Sequence, residues 1–151
     1  MNHWPDLLMA TVRLDQKSRA IVRSISDSFI DALANYFGSG PTDIELARKQ
    51  HQAYSDALSQ NGVAVTTLDA DQNHPDCVFV EDQAVVIDGH VLLPVPGHES
   101  RRGEQPPIAD FLAEHLKGYQ ICKMEPPAMM DGGDILRLSL IHISEPTRHR
   151  G

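Results

Sequence analysis

Pro75-Asp76-Cys77-Val78-Phe79-Val80-Glu81-Asp82, followed by the apolar run Ala84-Val85-Val86-Ile87, is the stretch on which the reading of this 151-residue sequence turns. It sets three carboxylates around a short run of strand formers, where a period of two would aim alternate side chains at opposite faces. Like charges this close repel and shift one another's protonation, so a site that keeps them ionised suits a bound cation. The alternative is an acidic, solvated loop. The apolar residues between the carboxylates, which hold them in place, favour the first reading.

Outward from this stretch the chain alternates helix and strand patterns. Arg19 to Ile25 alternates and is β-branched, as a first strand would be. Ser26 or Asp27 can cap a short helix through about Tyr36, before Gly38, Gly40 and Pro41 break the chain. Thr42-Asp43-Ile44-Glu45 reads as a capping box that starts a helix running to about Asn61, with Ala47, His51, Tyr54, Ala57 and Leu58 on one face and Gly62 as its stop. Val63 to Leu68 follows as a strand, giving an αβ unit. After an acidic loop and the opening stretch, Gln83–Ile87 and His90–Pro94 flank Asp88-Gly89, the dipeptide of a type I′ hairpin. A helix from Pro106 to about Lys117 carries Ile108, Phe111, Leu112, His115 and Leu116 inward. Gly118 ends it and Tyr119 to Met124 is a further strand, with Cys122 expected to be a small buried hydrophobe.

Composition narrows the function. The chain is 41% hydrophobic and 23% charged with a net charge of −8, an ordinary balance for a globular domain. Its scattered basic residues argue against a nucleic-acid partner, which needs clustered Lys and Arg. No apolar run reaches the roughly 18 to 20 residues of a membrane span, and no leader pattern is evident, so a cytoplasmic location is expected. Cys77 and Cys122 make neither a disulfide framework nor a metal-ligand spacing, and no metal or cofactor is expected. Two further stretches carry candidate chemistry. Arg101-Arg102 can grip a carboxylate bidentately, or else pair with Glu99 or Glu104. Asp131-Gly132-Gly133-Asp134 puts carboxylates around glycines that let backbone approach a ligand. With Asp76, Glu81 and Asp82 they describe a pocket for a molecule with a spread positive charge at one end and a carboxylate at the other.

HPDCVFVED at His74 to Asp82, PGHESRRGE at Pro96 to Glu104 and MDGGDIL at Met130 to Leu136 resemble the dimethylarginine dimethylaminohydrolase family, as do RAIVRSIS and ARKQHQAY earlier in the chain. The resemblance covers about Arg19 to Leu136. It implies an α/β fold, a five-bladed α/β propeller of the pentein group, of which this chain would hold roughly two blades and the start of a third. Residues 19–137 would be the incomplete propeller domain, with 1–18 an extension. It also implies hydrolysis of N-methylated arginine to citrulline and a methylamine. Asp82 would pair with the guanidinium with Glu81 beside it, Asp76 would hold the α-amino group, Arg101 the α-carboxylate, and Asp131 would be the second, catalytic carboxylate. Phe29 matches a lid position. The small-molecule substrate is the expected partner, with homodimerisation of the full-length protein left open.

The family's nucleophilic cysteine and its acid-base histidine lie in later blades and have no counterpart here. Cys77 is an ordinary member of its motif, among carboxylates that disfavour a thiolate. Leu138 to Arg148 reads like a translated transposase-end sequencing adaptor, so residues 138–151 are expected to be a non-native tail and the fragment to be inactive. Resequencing the locus without transposase tagging tests this, and persistence of the segment in frame would overturn it. Two alternatives remain. An arginine deiminase or amidinotransferase-like enzyme usually lacks a Glu before the Asp of this motif, whereas Glu81 is present. A non-catalytic propeller-fold binding module would not need Asp76, Asp82, Arg101 and Asp131 together.

Overall fold

The computed structural model describes residues 12–14, 17–33 and 42–136. The expected continuation of a helix to Tyr36, the break at Gly38 to Pro41, the first eleven residues and the tail from Leu138 lie outside them.

Two units of the same topology follow one another. In the first, β1 (Val12–Leu14) pairs antiparallel with β2 (Lys17–Arg23), and β2 pairs parallel with β3 (Ala64–Leu68). The crossover carries α1 (Ile44–Gln60). In the second, β4 (Val85–Ile87) pairs antiparallel with β5 (His90–Leu93), and β5 pairs parallel with β6 (Gln120–Lys123) across α2 (Gln105–His115). The sheets therefore run β1-β2-β3 and β4-β5-β6. A parallel pair needs such a crossover, because a tight turn reverses the chain.

Local chemistry sets most boundaries. Asp43, not Thr42, caps α1: its Oδ1 accepts the Leu46 amide at 2.9 Å, so the expected capping box is displaced by one residue. Gly62 and Gly118 follow the helices with φ of 82° and 96°, the left-handed stop that glycine reaches without strain. Pro106 and Pro107 lie in the first turn of α2, where no amide partner is required. Asp88 and Gly89 both have positive φ, 45° and 79°, as the type I′ hairpin demands.

The cores differ in size. Ala84, Val91, Leu93, Ile108, Leu112 and Leu116 are buried together in the second unit, with Ile21 and Leu68 of the first packed against them. Among the described residues the first unit buries only Ala20, Val22 and Leu58 as an apolar cluster, under Tyr54, Val63 and Val65. Several expectations change here. Ala57 is exposed and Ser55 buried, because Ser55 lies next to Leu58 on the inward stripe and its hydroxyl donates to His51 O at 3.0 Å. His115 is exposed and stacks on Phe111 at 4.0 Å, and Cys122 is only half-buried. Instead of a regular helix after β2, a 3-10 turn spans Asp27–Asp31 with no side-chain cap from Ser26.

Candidate functional site

The acidic stretch is not a strand. From His74 to Gln83 the chain winds through successive tight turns, with Cys77 N donating to His74 O at 3.1 Å, Phe79 N to Asp76 O at 3.0 Å and Gln83 N to Val80 O at 3.1 Å. Val80–Asp82 forms a 3-10 turn. Strand propensity at Val78, Phe79 and Val80 describes a fit to neighbouring strands, and local turn bonds take the Phe79 and Val80 amides instead, to Asp76 O and Val78 O, both at 3.0 Å. Turning, rather than alternating, buries Asp76 and Cys77 together while Phe79 stays exposed. Asp76 accepts the Leu33 amide on both oxygens, at 3.1 and 3.2 Å. Leu33 is a residue the sequence reading missed, since a backbone donor leaves no side-chain signature. Phe29, expected at the lid, sits with its ring 6.2 Å from Phe79. Cys77 is fully buried against the Asp71 backbone, whose amide donates to Sγ at 3.4 Å.

Arg101 is buried and its guanidinium is largely committed. Nε donates to both oxygens of Glu104 at 3.2 Å, NH2 to Glu104 Oε2 at 2.8 Å, and NH1 to Asp82 Oδ2 at 2.5 Å. NH2 also reaches the carbonyls of Asp76 and Phe79 at 3.3 and 3.2 Å. The Phe79 ring lies 5.8 Å from the guanidinium carbon. The bidentate grip expected of the arginine pair is thus made by Arg101 alone and closed on Glu104 of the same chain, and this Arg101–Glu104 ion pair is buried rather than on the surface. One NH1 hydrogen of the five guanidinium donors has no acceptor among the described residues. Burial disfavours the charged guanidinium, but the hydrogen bonds and charges of Glu104 and Asp82 outweigh it and hold Arg101 well above its ordinary pKa. Arg102 is exposed, its Nε on Pro96 O at 3.4 Å and NH2 at 3.6 Å from Met129 Sδ.

Glu104 is 1% exposed, and Gln83, fully buried, donates to its Oε2 at 2.8 Å. Gln83 Oε1 has no partner among the described residues. Exchanging the amide ends would set two acceptors against each other, so Glu104 fixes this orientation.

The Asp131 loop docks onto this wall. Gly133 N donates to Asp82 Oδ1 at 3.0 Å, and Asp131 Oδ1 accepts the Gly97 amide at 3.2 Å. At Gly132 a Cβ would run into the Glu81 carbonyl, so only glycine permits this approach. Glu81 itself is pushed above the usual carboxyl range, first by burial and further by the adjacent Asp82 charge, with its backbone hydrogen bond and Arg101 opposing. The two expected acidic stretches and Arg101 are therefore brought together. Among the described residues no group of three or more His, Cys, Asp or Glu is placed to hold a metal ion, and no helix is long and apolar enough to cross a membrane.

A family model described as N,N dimethylarginine dimethylhydrolase, eukaryotic, matches residues 21–130, which run from within β2 to just before the Asp131 loop. The chain belongs to this family. It is 33% identical over 120 residues to the N(G),N(G)-dimethylarginine dimethylaminohydrolase of Streptomyces coelicolor, covering 80% of this chain and 46% of that protein. It is 34% identical over 116 residues to the enzyme of the same name from Pseudomonas aeruginosa, covering 77% of this chain and 45% of that one. This chain thus spans about half the length of the curated relatives it matches. Among solved structures, a mutant of the Pseudomonas aeruginosa family member in complex with citrulline superposes with a TM-score of 0.75 at 33% identity, covering 80% of this chain and 46% of that one. AgrE, solved with ornithine and NAD+, superposes at 0.66 with 21% identity, covering 77% of this chain and 17% of that one, a likeness of fold alone. The fold is the pentein-type α/β propeller, and the repeated unit of two antiparallel strands, helix and parallel strand is its blade.

Proposed function

We propose that this chain supplies one wall of the substrate pocket of a hydrolase that converts N-methylated arginine to citrulline and a methylamine. The observation that carries the reading is the docking of the Asp131 loop on Asp82, which sets carboxylates from two loops around one place. In this reading Asp82 and Asp131 face the guanidinium with Glu81 beside them, and Asp76, pinned by the Leu33 amide, takes the α-amino group. Carboxylates that fix the plane of a guanidinium present its carbon for attack and balance its charge. Leu33 and Phe79, both partly exposed beside these acids, offer apolar surface suited to N-methyl groups. Arg101 keeps a single N–H without an acceptor among the described residues, which is what it can offer an α-carboxylate.

Neither cysteine serves as the nucleophile in this reading. Cys77 is inaccessible and Cys122 lies on β6, so the chain by itself is inactive. Its two unpaired thiols fit a reducing, cytoplasmic setting. Calorimetric titration of the purified chain with N,N-dimethylarginine, arginine and citrulline tests the proposal. Binding of dimethylarginine in preference to arginine, without citrulline release, is expected. Preference for arginine would favour the deiminase-like alternative, and release of citrulline would overturn the assignment of the cysteines.

A further inference from the structure

Resting on the guanidinium-binding reading above, we propose that Glu104 is a positioning residue for cation recognition: by occupying the Nε and NH2 edge of Arg101, it leaves Asp82 its negative charge for the substrate. Asp82 touches a buried arginine, and an arginine that closed a bidentate pair on it would cancel its charge. That edge is instead taken by Glu104, through two contacts at 3.2 Å and one at 2.8 Å, and only NH1 reaches Asp82. Arg101 and Glu104 form a neutral pair of their own. Gln83 fixes the Glu104 carboxylate from behind with its Nε2 at 2.8 Å, at the expense of leaving its own Oε1 without a partner among the described residues. Arg23 NH1 holds the Glu104 carbonyl at 3.4 Å, which anchors the backbone beneath it. The result is a cluster of two carboxylates on one guanidinium, with one negative charge left over on the side of the Asp131 loop, where Gly133 N meets Asp82 Oδ1.

Two ligands that share an α-amino-acid end but differ in charge at the other separate this role from a structural one. Wild-type chain, Glu104→Gln and Glu104→Asp are titrated calorimetrically with N,N-dimethylarginine, a cation, and with citrulline, whose ureido end is neutral. Glu104→Gln lets Arg101 turn its charge on Asp82, and is expected to weaken dimethylarginine about tenfold while citrulline changes less than about threefold, at the effective dielectric of a partly buried site. Glu104→Asp keeps the charge and is expected to keep the ratio of the two affinities. Equal losses for both ligands in Glu104→Gln would overturn the inference and leave Glu104 a structural residue. If wild type binds neither ligand, the underlying site reading fails and the inference with it. If Glu104→Gln is unfolded by circular dichroism, the 15N resonance of Arg101 Nε in wild type decides. It stays slow to exchange and unshifted on adding dimethylarginine if Arg101 keeps its hold on Glu104, and release of that hold on binding would overturn the inference.

Discussion

The two blades have the same strand order and connection but divide the work unequally. Among the described residues the first, β1 to β3 with α1, buries three residues as an apolar cluster, whereas the second, β4 to β6 with α2, buries six. The candidate site follows the better-packed blade: its loops at 75–82, 97–104 and 131–134 all flank β4, β5 and β6. A loop that must hold like charges together needs an anchor stronger than their repulsion, and the larger core with the buried Arg101 cluster provides it. The first blade contributes chiefly a backbone amide, Leu33 N, to Asp76.

Four substitutions test how deep this inequality runs. Arg101→Met strips the counter-charge from Glu104, which is 1% exposed, and is expected to cost about 3 to 5 kcal/mol by urea denaturation. A cost under about 1 kcal/mol would mean that the cluster is not the anchor of the second blade. Ile108→Ala opens a hole in the larger core at a residue only 2% exposed and should cost about 2 to 5 kcal/mol, with Leu58→Ala in the first blade nearer the bottom of that range. The reverse order would show that the first blade, despite its small cluster, limits stability. Asp43→Ala removes the α1 cap and is expected to cost about 1 kcal/mol, since α1 is held by that cap and by few buried side chains.

The same contrast runs through what the sequence revealed. Elements whose signals are local were legible: the Asp88-Gly89 hairpin, the helix stops at Gly62 and Gly118, and the long amphipathic α1. Elements decided by partners were not. Val12–Leu14 pairs with β2 although it has no clean period, because three ladder positions suffice to hold an edge strand. The acidic stretch carries strand formers yet turns, since among the described residues no neighbouring strand takes its amides and local turn bonds take those of Cys77, Phe79, Val80, Asp82 and Gln83. For the site, the acid-bearing motifs could be read from residue type alone. The roles of Leu33 and Gln83 could not, because a backbone donor and a buried amide differ only in what surrounds them, and Glu104 was legible only as one of two glutamates able to pair with the arginines. Arg101 shows the limit most sharply: its type announced a carboxylate partner, and only packing decided that the partner belongs to the same chain.

The smallest expected effect is also the one that sets the two blades in direct opposition, through pH. Asp71, in the loop that leaves β3, has its carboxyl below the ordinary 3.8: burial works against this, but the His74 hydrogen bond at 2.8 Å, the Asn73 amide and the charges of His74 and Arg23 prevail. Glu81, in the turn before β4, is held above 4.5, mainly by burial. A depressed carboxyl binds its proton less tightly folded than unfolded, so the stability Asp71 contributes is present above 3.8 and is lost as pH falls below it. A raised carboxyl does the opposite, so the contribution of Glu81 is present below 4.5 and is lost as pH rises through its folded value. Urea denaturation across that range should therefore find Glu81→Gln more stable than wild type at neutral pH, with the difference vanishing below 4.5, and Asp71→Asn less stable at neutral pH, with the difference shrinking as pH falls past 3.8. Opposite signs are the mark of one carboxylate held for the fold and one held ready for a cation. If Glu81→Gln were instead destabilising at neutral pH, Glu81 would be serving the fold as Asp71 does, and the pocket would have one acid fewer to offer a guanidinium.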